Sequence, residues 1–400
     1  MSHETASTAG ELRIPAGHRL AKLPVAGAFL ALLGAALLMV FASRQPERFF
    51  AAWLVAFVFF LSIALGCLYF ALIHTAMTGA WGVVVRRVAE NAAATLPLFA
   101  LLFLPVAFGL HSLYHWSHPE AVAHDALLRF KQPYLNERFF FARAALYFVV
   151  WSGIALWFRG LSRRQDASRD PQLAARLRRY SGALLIPLAL THTFAAFDWV
   201  MSLAPHWYST IFGVYAFAGG LVAGFALTAL AAVAFQRSGL VPGITTEHFH
   251  DLGKLLFAFT VFWAYIAFSQ FFLIWYGNIP EETIWYRVRL AGGWKTVTIA
   301  LAVGHFALPF FFLLSRTVKR NAATLVLAAL WMLAMHYVDV YWLVIPSIEG
   351  LGAWPGVVDV AAMLAVGGAF LGAFGWLTVR SPLVPQGDPR LAESLAFENV

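Results

Sequence analysis

Ten stretches of mostly apolar residues run along the chain, separated by shorter polar joints. They lie at about 23–43, 51–77, 92–113, 139–160, 180–203, 210–236, 253–277, 295–318, 321–345 and 358–380. Each is long enough to cross a bilayer as a helix, which takes about 20 residues at 1.5 Å per residue. The runs are continuous and lack period-two alternation, so they predict helices rather than barrel strands. The expected fold is an all-α integral membrane protein with about ten transmembrane helices. Residues 1–22 then form an N-terminal tail, 23–380 a polytopic membrane domain and 381–400 a C-terminal tail. Pro97, Pro105, Pro187 and Pro309 fall within spans and predict kinks repaired by neighbouring helices. The small-residue steps Gly220–Gly224 and Gly368–Gly372 predict close helix packing.

Composition agrees. Of the 400 residues 61% are hydrophobic and 12% charged, against about 25% charged in soluble domains. The single cysteine, Cys67, sits in an apolar run. One cysteine excludes an intrachain disulfide, an iron–sulfur cluster and covalent c-type haem, which needs C-x-x-C-H. Residues 1–22 are polar, and the run that follows exceeds a signal-peptide h-region of roughly 7–15 residues, so it reads as the first membrane helix. Ten crossings put both termini on one side. Eighteen lysines and arginines fall on that side and seven on the other. The positive-inside rule therefore predicts cytoplasmic termini, and it accounts for the net charge of +8 without nucleic acid. The opposite loops, 114–138, 204–209, 278–294 and 346–357, are rich in Trp, Tyr, His and Pro, which suits a docked or interfacial surface.

Ionisable residues inside the spans are the candidate chemistry, because each costs roughly 2.5–3.5 kcal/mol near the middle of a membrane helix. The fifth span holds His192 and Asp198; the ninth holds His336 and Asp339. Six residues rotate a helix by about 600°, so the first pair does not share a face. His336 and Asp339 are spaced i, i+3 and do, so the carboxylate can hold the imidazole in one tautomer. Gln270, with Ser269, reaches a similar depth on the seventh span. Toward the termini side, His74, Thr75 and Thr78 end the second span, and His248, His250, Asp251 and Lys254 open the seventh. The i, i+3 spacing predicts an Asp251–Lys254 ion pair, and an acid there also complements the helix dipole. His305 lies near mid-depth on the eighth span, placed to bridge the two halves. The expected proton path thus comprises Asp198, His192, His336, Asp339, His305, His74, Asp251, Lys254 and Gln270. A quinol would need a proton acceptor and apolar walls. Asp198 or His192, walled by Phe197, Trp199 and Trp207, offers these, although such aromatics equally serve helix packing. No two helices offer facing histidines for b-type haem. No H-E-x-x-H, G-x-S-x-G or P-loop pattern occurs, so metalloprotease, serine hydrolase and nucleotide hydrolysis lack a motif, and no metal is expected.

Two long stretches resemble a known family: FDWVMSLAPHWYSTIFGVY (Phe197–Tyr215) and HDLGKLLFAFTVFWAYIAFSQFFLIWYGNIPEETIW (His250–Trp285). Shorter companions are LNERFFFAR (Leu135–Arg143) and HYVDVY (His336–Tyr341). They are similar to the NrfD-like membrane subunits of alternative complex III, a bacterial quinol:cytochrome c oxidoreductase, and specifically to the smaller, ActF-like kind. The resemblance covers helices four to nine best. It implies two four-helix bundles, helices 2–5 and 6–9, flanked by helices 1 and 10. It implies a location in the bacterial inner membrane and no redox centre on this chain. Haem c and iron–sulfur clusters are expected on periplasmic partner subunits, with the main quinol site on a larger NrfD-like paralogue. Proton half-channels are proposed for the family, and quinone binding is ascribed to the smaller subunit by homology. Two other classes compete. A stand-alone proton-coupled secondary transporter would suit ten helices in two bundles, although no Gly/Pro-broken helices sit at matching positions. A lipid-modifying enzyme lacks a motif.

Overall fold

The computed structural model describes residues 12–41 and 45–399. Most of the expected N-terminal tail, residues 1–11, the end of the first apolar run and Val400 lie outside the described residues. The described chain is helical without a strand, and ten of its helices are long and apolar enough to cross a membrane. They are α1 (Arg19–Phe41), α2 (Pro46–Ala76), α3 (Val83–Phe108), α4 (Glu137–Ser168), α5 (Pro171–Leu203), α6 (Phe212–Arg237), α7 (Thr246–Gly277), α8 (Gly292–Leu314), α9 (Ala322–Ser347) and α10 (Val357–Val379). All ten match predicted runs. The ends differ most at α3 and α5, which each begin some nine residues early; in α3 the buried Arg86 and Arg87 are paired with Glu90, Asp388 and Asp166.

Local chemistry sets the ends. Asn136, Asp170 and Asn321 cap α4, α5 and α9 by accepting N–H groups of the first turn. Arg169 and Asn278 end α4 and α7 in the left-handed region, at φ 53° and 47°. Pro97 and Pro105 break α3 into short helical pieces. Before Pro309, α8 widens into a π-helical turn over Ala302–Ala307. The Trp331 indole donates to the Gly304 carbonyl at 2.7 Å, satisfying a group in that turn.

Helix α2 is the axis of the molecule: 83% of its apolar window is buried, against 17% for α1. Helices α2–α5 form one bundle and α6–α9 the other, joined where α2 crosses α6 and touches α9. At that crossing a Cβ on Gly66 would come 1.9 Å from the Gly220 carbonyl oxygen, and one on Gly224 would meet the Gly66 backbone. Helices α1 and α10 pair with each other through Gly27, Gly368 and Gly372, and α10 lies against α2. Both small-residue steps therefore pack backbones closely. Ten crossings leave one termini face and one far face.

The C-terminal residues are docked on the termini face. The Asp388 carboxylate lies 2.8 Å from Arg86, and the Gly387 N–H donates to Asp166. The Ser394 hydroxyl donates to the Trp81 carbonyl, and its own carbonyl accepts from His248. Burial alone would raise the Asp388 carboxyl. The Arg86 and Arg390 guanidiniums and the Arg390 backbone N–H outweigh burial and hold it below the ordinary carboxylate range.

Candidate functional site

Two spans deliver a cluster of three buried titratable side chains to the middle of the second bundle. His305 comes from the π-helical turn of α8, and His336 and Asp339 from α9. One ligand-type atom from each lies within 4.8 Å of the others. Trp263 of α7, Tyr215 of α6 and Ser62 of α2 complete the group. The Tyr215 hydroxyl donates to Asp339 Oδ1 at 2.5 Å and the Trp263 indole N–H to Oδ2 at 3.0 Å. Both carboxylate oxygens are thus engaged by neutral donors. Ser62 Oγ donates to the Phe59 carbonyl at 2.7 Å, and the same oxygen sits 2.7 Å from His336 Nε2. A hydroxyl has one proton to give. Since Phe59 takes it, His336 carries its proton on Nε2 and leaves Nδ1 a bare acceptor. That nitrogen has no partner among the described residues. Neither ring nitrogen of His305 has one either; its imidazole stacks on Trp263 with centroids 3.8 Å apart.

The expected Asp339–His336 contact is therefore corrected. The i, i+3 spacing does bring the two together, but Ser62, not Asp339, selects the tautomer, and the carboxylate oxygens are engaged by Tyr215 and Trp263. His336 and Asp339 instead share a cavity of about 50 Å³, lined also by Ser62, Tyr215, Gly219 and His192. That suffices for a few waters and is too small for a substituted ring. A Cβ on Gly219 would lie 3.1 Å from His336 Nδ1, 2.9 Å from its Cε1 and 3.7 Å from Asp339 Oδ2. The missing side chain is what keeps that nitrogen and that oxygen facing common space. His192 Nδ1, across the cavity, is also without a partner.

Asp198 is elsewhere. Fully buried, it takes Arg143 Nε at 2.7 Å, Arg143 Nη2 at 2.8 Å and the Tyr147 hydroxyl at 2.6 Å. This is a closed bidentate pair, in contact with neither His192 nor the cavity. Sequence reasoning placed Arg143 in a span but missed the pairing. The available signal was its position near the far end of α4, at the depth Asp198 reaches on α5. Trp199 is wedged among Phe57, Phe103, Phe148 and Trp151, and Trp207 stacks on Trp285 at 4.4 Å. These rings pack helices and leave no ring-sized gap beside Asp198.

A second cavity, about 370 Å³, opens toward the termini face and is lined by His74, Trp81, Asp251 and Lys254. Asp251 and Lys254 form the expected ion pair. His74 Nε2 accepts the Gly82 N–H at 3.1 Å, which fixes the proton on Nδ1. Lys254 also donates to Asn399 of the docked C-terminal segment. Twelve residues of α2 separate His74 from Ser62, about 18 Å at 1.5 Å per residue. Between the two cavities lie Tyr69, Phe70, Phe217, Phe225 and Phe259, in mutual edge and tilted contact. Gln270 is apart from both cavities: it donates to the Tyr286 hydroxyl at 3.2 Å near the far face. Burial pushes that phenol up to about 12, so it stays neutral.

His305, His336 and Asp339 have the donor set of a two-histidine, one-carboxylate metal site. Each Asp339 oxygen already accepts one hydrogen bond, from Tyr215 or from Trp263, so a metal would compete with those donors or take the remaining lone pairs. Compared with known proteins, the chain matches no family model and no curated sequence.

Proposed function

We propose that this chain is an integral membrane subunit of a quinol-oxidising complex of the alternative complex III type. It carries no redox centre and conducts protons through two half-channels, one from each membrane face. The observation that carries the proton reading is the bare His336 Nδ1 facing Asp339 across the space left by Gly219. Leaving a buried polar atom with no partner at all costs about 1–3 kcal/mol, so the unpartnered Nδ1 atoms of His336 and His192 call for water in the cavity that both residues line. A proton taken at His336 Nδ1 from the cavity converts the ring to imidazolium while Nε2–H stays bonded to Ser62; loss of the Nδ1 proton to the cavity on the Asp339 side restores the neutral ring. The aromatic layer between the cavities acts as the insulator that a coupled path needs. His74, Asp251 and Lys254 form the termini-side entrance. The excess of basic residues on that side supports cytoplasmic termini in a bacterial inner membrane. The sequence resemblance supports the partners: a larger quinol-binding NrfD-like subunit and periplasmic subunits with iron–sulfur clusters and c-type haems.

The test is purification of the tagged chain from its native membrane. Co-elution with haem- and cluster-bearing chains and with quinol oxidation is expected; a chain that elutes alone and transports a solute refutes the complex. In the assembled complex in vesicles, Asp339→Asn is expected to lower proton-coupled turnover at least tenfold without loss of assembly. Unchanged proton release would refute the relay.

One observation favours a second reading, quinol binding on this chain. A bilayer-facing cleft of about 530 Å³ between α7 and α8 is lined by Tyr215, Trp263, Phe271, Tyr286, Leu301 and Phe306. It reaches the two groups that hold Asp339 and is large enough for a ring. Photo-crosslinking with an azido-quinone, read at Phe271 and Phe306, tests it.

A further inference from the structure

Water in the central cavity satisfies His336 and His192 but leaves His305 over. Both ring nitrogens of His305 are buried without a partner among the described residues, and His305 is not among the residues that line that cavity. A neutral imidazole carries one lone pair, and a buried acceptor with nothing to accept costs about 1–3 kcal/mol. The groups beside His305 are not proton donors to it but two further electron-pair donors, His336 and Asp339.

Their spacing suits a shared ion. One donor atom from each of the three lies within 4.8 Å of the other two. Atoms so spaced are each at most about 2.8 Å from a common centre, and Zn–N and Zn–O bonds run about 2.0–2.2 Å. Closure therefore takes less than roughly an ångström at the end of each side chain. Lone pairs are free on the other two as well. His336 spends its Nε2–H on Ser62 at 2.7 Å, which leaves Nδ1 bare. Each Asp339 oxygen accepts one hydrogen bond and keeps a second lone pair. The three side chains are also braced from outside, as metal ligands are. Ser62 fixes the His336 ring, Tyr215 and Trp263 fix the carboxylate, and Trp263 stacks on His305 at 3.8 Å. The donors come from two helices, which is why no compact metal motif marks them in the sequence.

We propose that His305, His336 and Asp339 bind a divalent transition-metal ion such as Zn²⁺, and that the bound ion shuts the proton relay. Two imidazoles and a carboxylate, with a fourth position left to water, are a zinc donor set. The ion takes the His336 Nδ1 lone pair that otherwise takes the proton, so metal and proton compete for one atom. Zinc brings a bound water to a pKa of about 7, so a hydroxide and the Asp339 carboxylate together balance its two charges in the buried site. Insertion as the chain folds, before the bundle closes, needs no channel. The inhibition rests on the relay reading; the binding does not.

The test purifies the full chain, with whatever subunits accompany it, from cultures supplemented with Zn²⁺ or depleted of it by a chelator. Zinc per chain is measured by inductively coupled plasma mass spectrometry, and proton-coupled turnover is measured on both preparations. Zinc-supplemented wild type is expected to hold one more zinc per chain than His305→Gln or Asp339→Asn, and X-ray absorption should show two imidazole ligands on it. His115→Gln/His118→Gln removes two exposed histidines of the far face and is expected to keep that zinc. Equal zinc in wild type and in both cluster variants, or its loss in the far-face variant, overturns the site. Asp339→Asn keeps the side-chain shape and decides the matter should His305→Gln fail to fold. Turnover of the zinc-loaded wild type is expected to fall at least tenfold below that of the depleted preparation. Stoichiometric zinc with unchanged turnover overturns the inhibition; if Asp339→Asn also turns over normally, it is the relay that fails.

Discussion

The two intramembrane aspartates should behave in opposite ways, and Asp198 gives the sharper test. Asp198→Asn replaces a carboxylate that accepts two Arg143 donors at 2.7 and 2.8 Å and the Tyr147 hydroxyl at 2.6 Å. The amide nitrogen has to face a donor, and Arg143, 7% exposed, loses its counter-ion. Removing one partner of a buried ion pair costs about 3–5 kcal/mol, roughly two to three and a half decades in the folding constant. Arg143 remains partly held by the Tyr134 carbonyl at 3.0 Å and by the Tyr134 ring, 3.9 Å from its guanidinium carbon, so the lower end of that range is expected. Tyr147→Phe deletes one bond to the carboxylate and should cost about 1.5 kcal/mol. Arg143→Met/Asp198→Leu removes both charges and should recover most of the loss, leaving about 1–2 kcal/mol from the orphaned Tyr147 hydroxyl and Tyr134 carbonyl. The assay is denaturant-induced unfolding in detergent followed by tryptophan fluorescence, with proton-coupled turnover of the assembled complex measured alongside. If Asp198→Asn were as stable as wild type yet lost turnover as Asp339→Asn does, or if the double variant lost the sum of the singles, the anchor reading would be refuted.

Gly219→Ala should lower proton-coupled turnover several-fold while leaving every titratable group in place, because the methyl enters the space between His336 Nδ1 and Asp339 Oδ2; wild-type turnover with a confirmed fold would show that this space is not used. Gly66→Val should prevent stable folding, since even a Cβ would approach the Gly220 carbonyl to 1.9 Å and overpacking costs about 1–3 kcal/mol or more; a normal yield of stable protein would disprove the crossing. The Asp388 carboxyl is held low in the folded chain, so its contribution to docking the C-terminal segment is present above the unfolded value of about 3.9 and lost as pH falls through the folded one. Hydrogen exchange over residues 383–395 should therefore be flat from pH 8 to 5, after correction for intrinsic rates, and rise below about 4; release beginning near pH 6 would assign the docking to another group.

Much of this molecule is visible without its coordinates. The ten spans are legible because transfer of a helix into hydrocarbon sums over contiguous residues, and a run such as 210–236 carries the whole signal itself. The Asp251–Lys254 pair is legible for the same reason: i, i+3 neighbours meet whatever surrounds the helix. The glycine steps at 220–224 and 368–372 announce close crossings. What they cannot announce is the partner, and Gly66 and Gly27 supply it.

The tertiary structure alone decides which charges meet. Asp198 and His192 share a helix but face apart, and Asp198 belongs to Arg143, 55 positions earlier. His336 takes its tautomer from Ser62, 274 positions away. Trp263 and Tyr215, unremarkable positions in sequence, each donate to Asp339. The docking of residues 383–399 across the termini face leaves no periodic trace. Each of these depends on the rotation and crossing of whole helices, set by packing over the full interface, whereas local sequence specifies only that a helix forms and how deeply it sits.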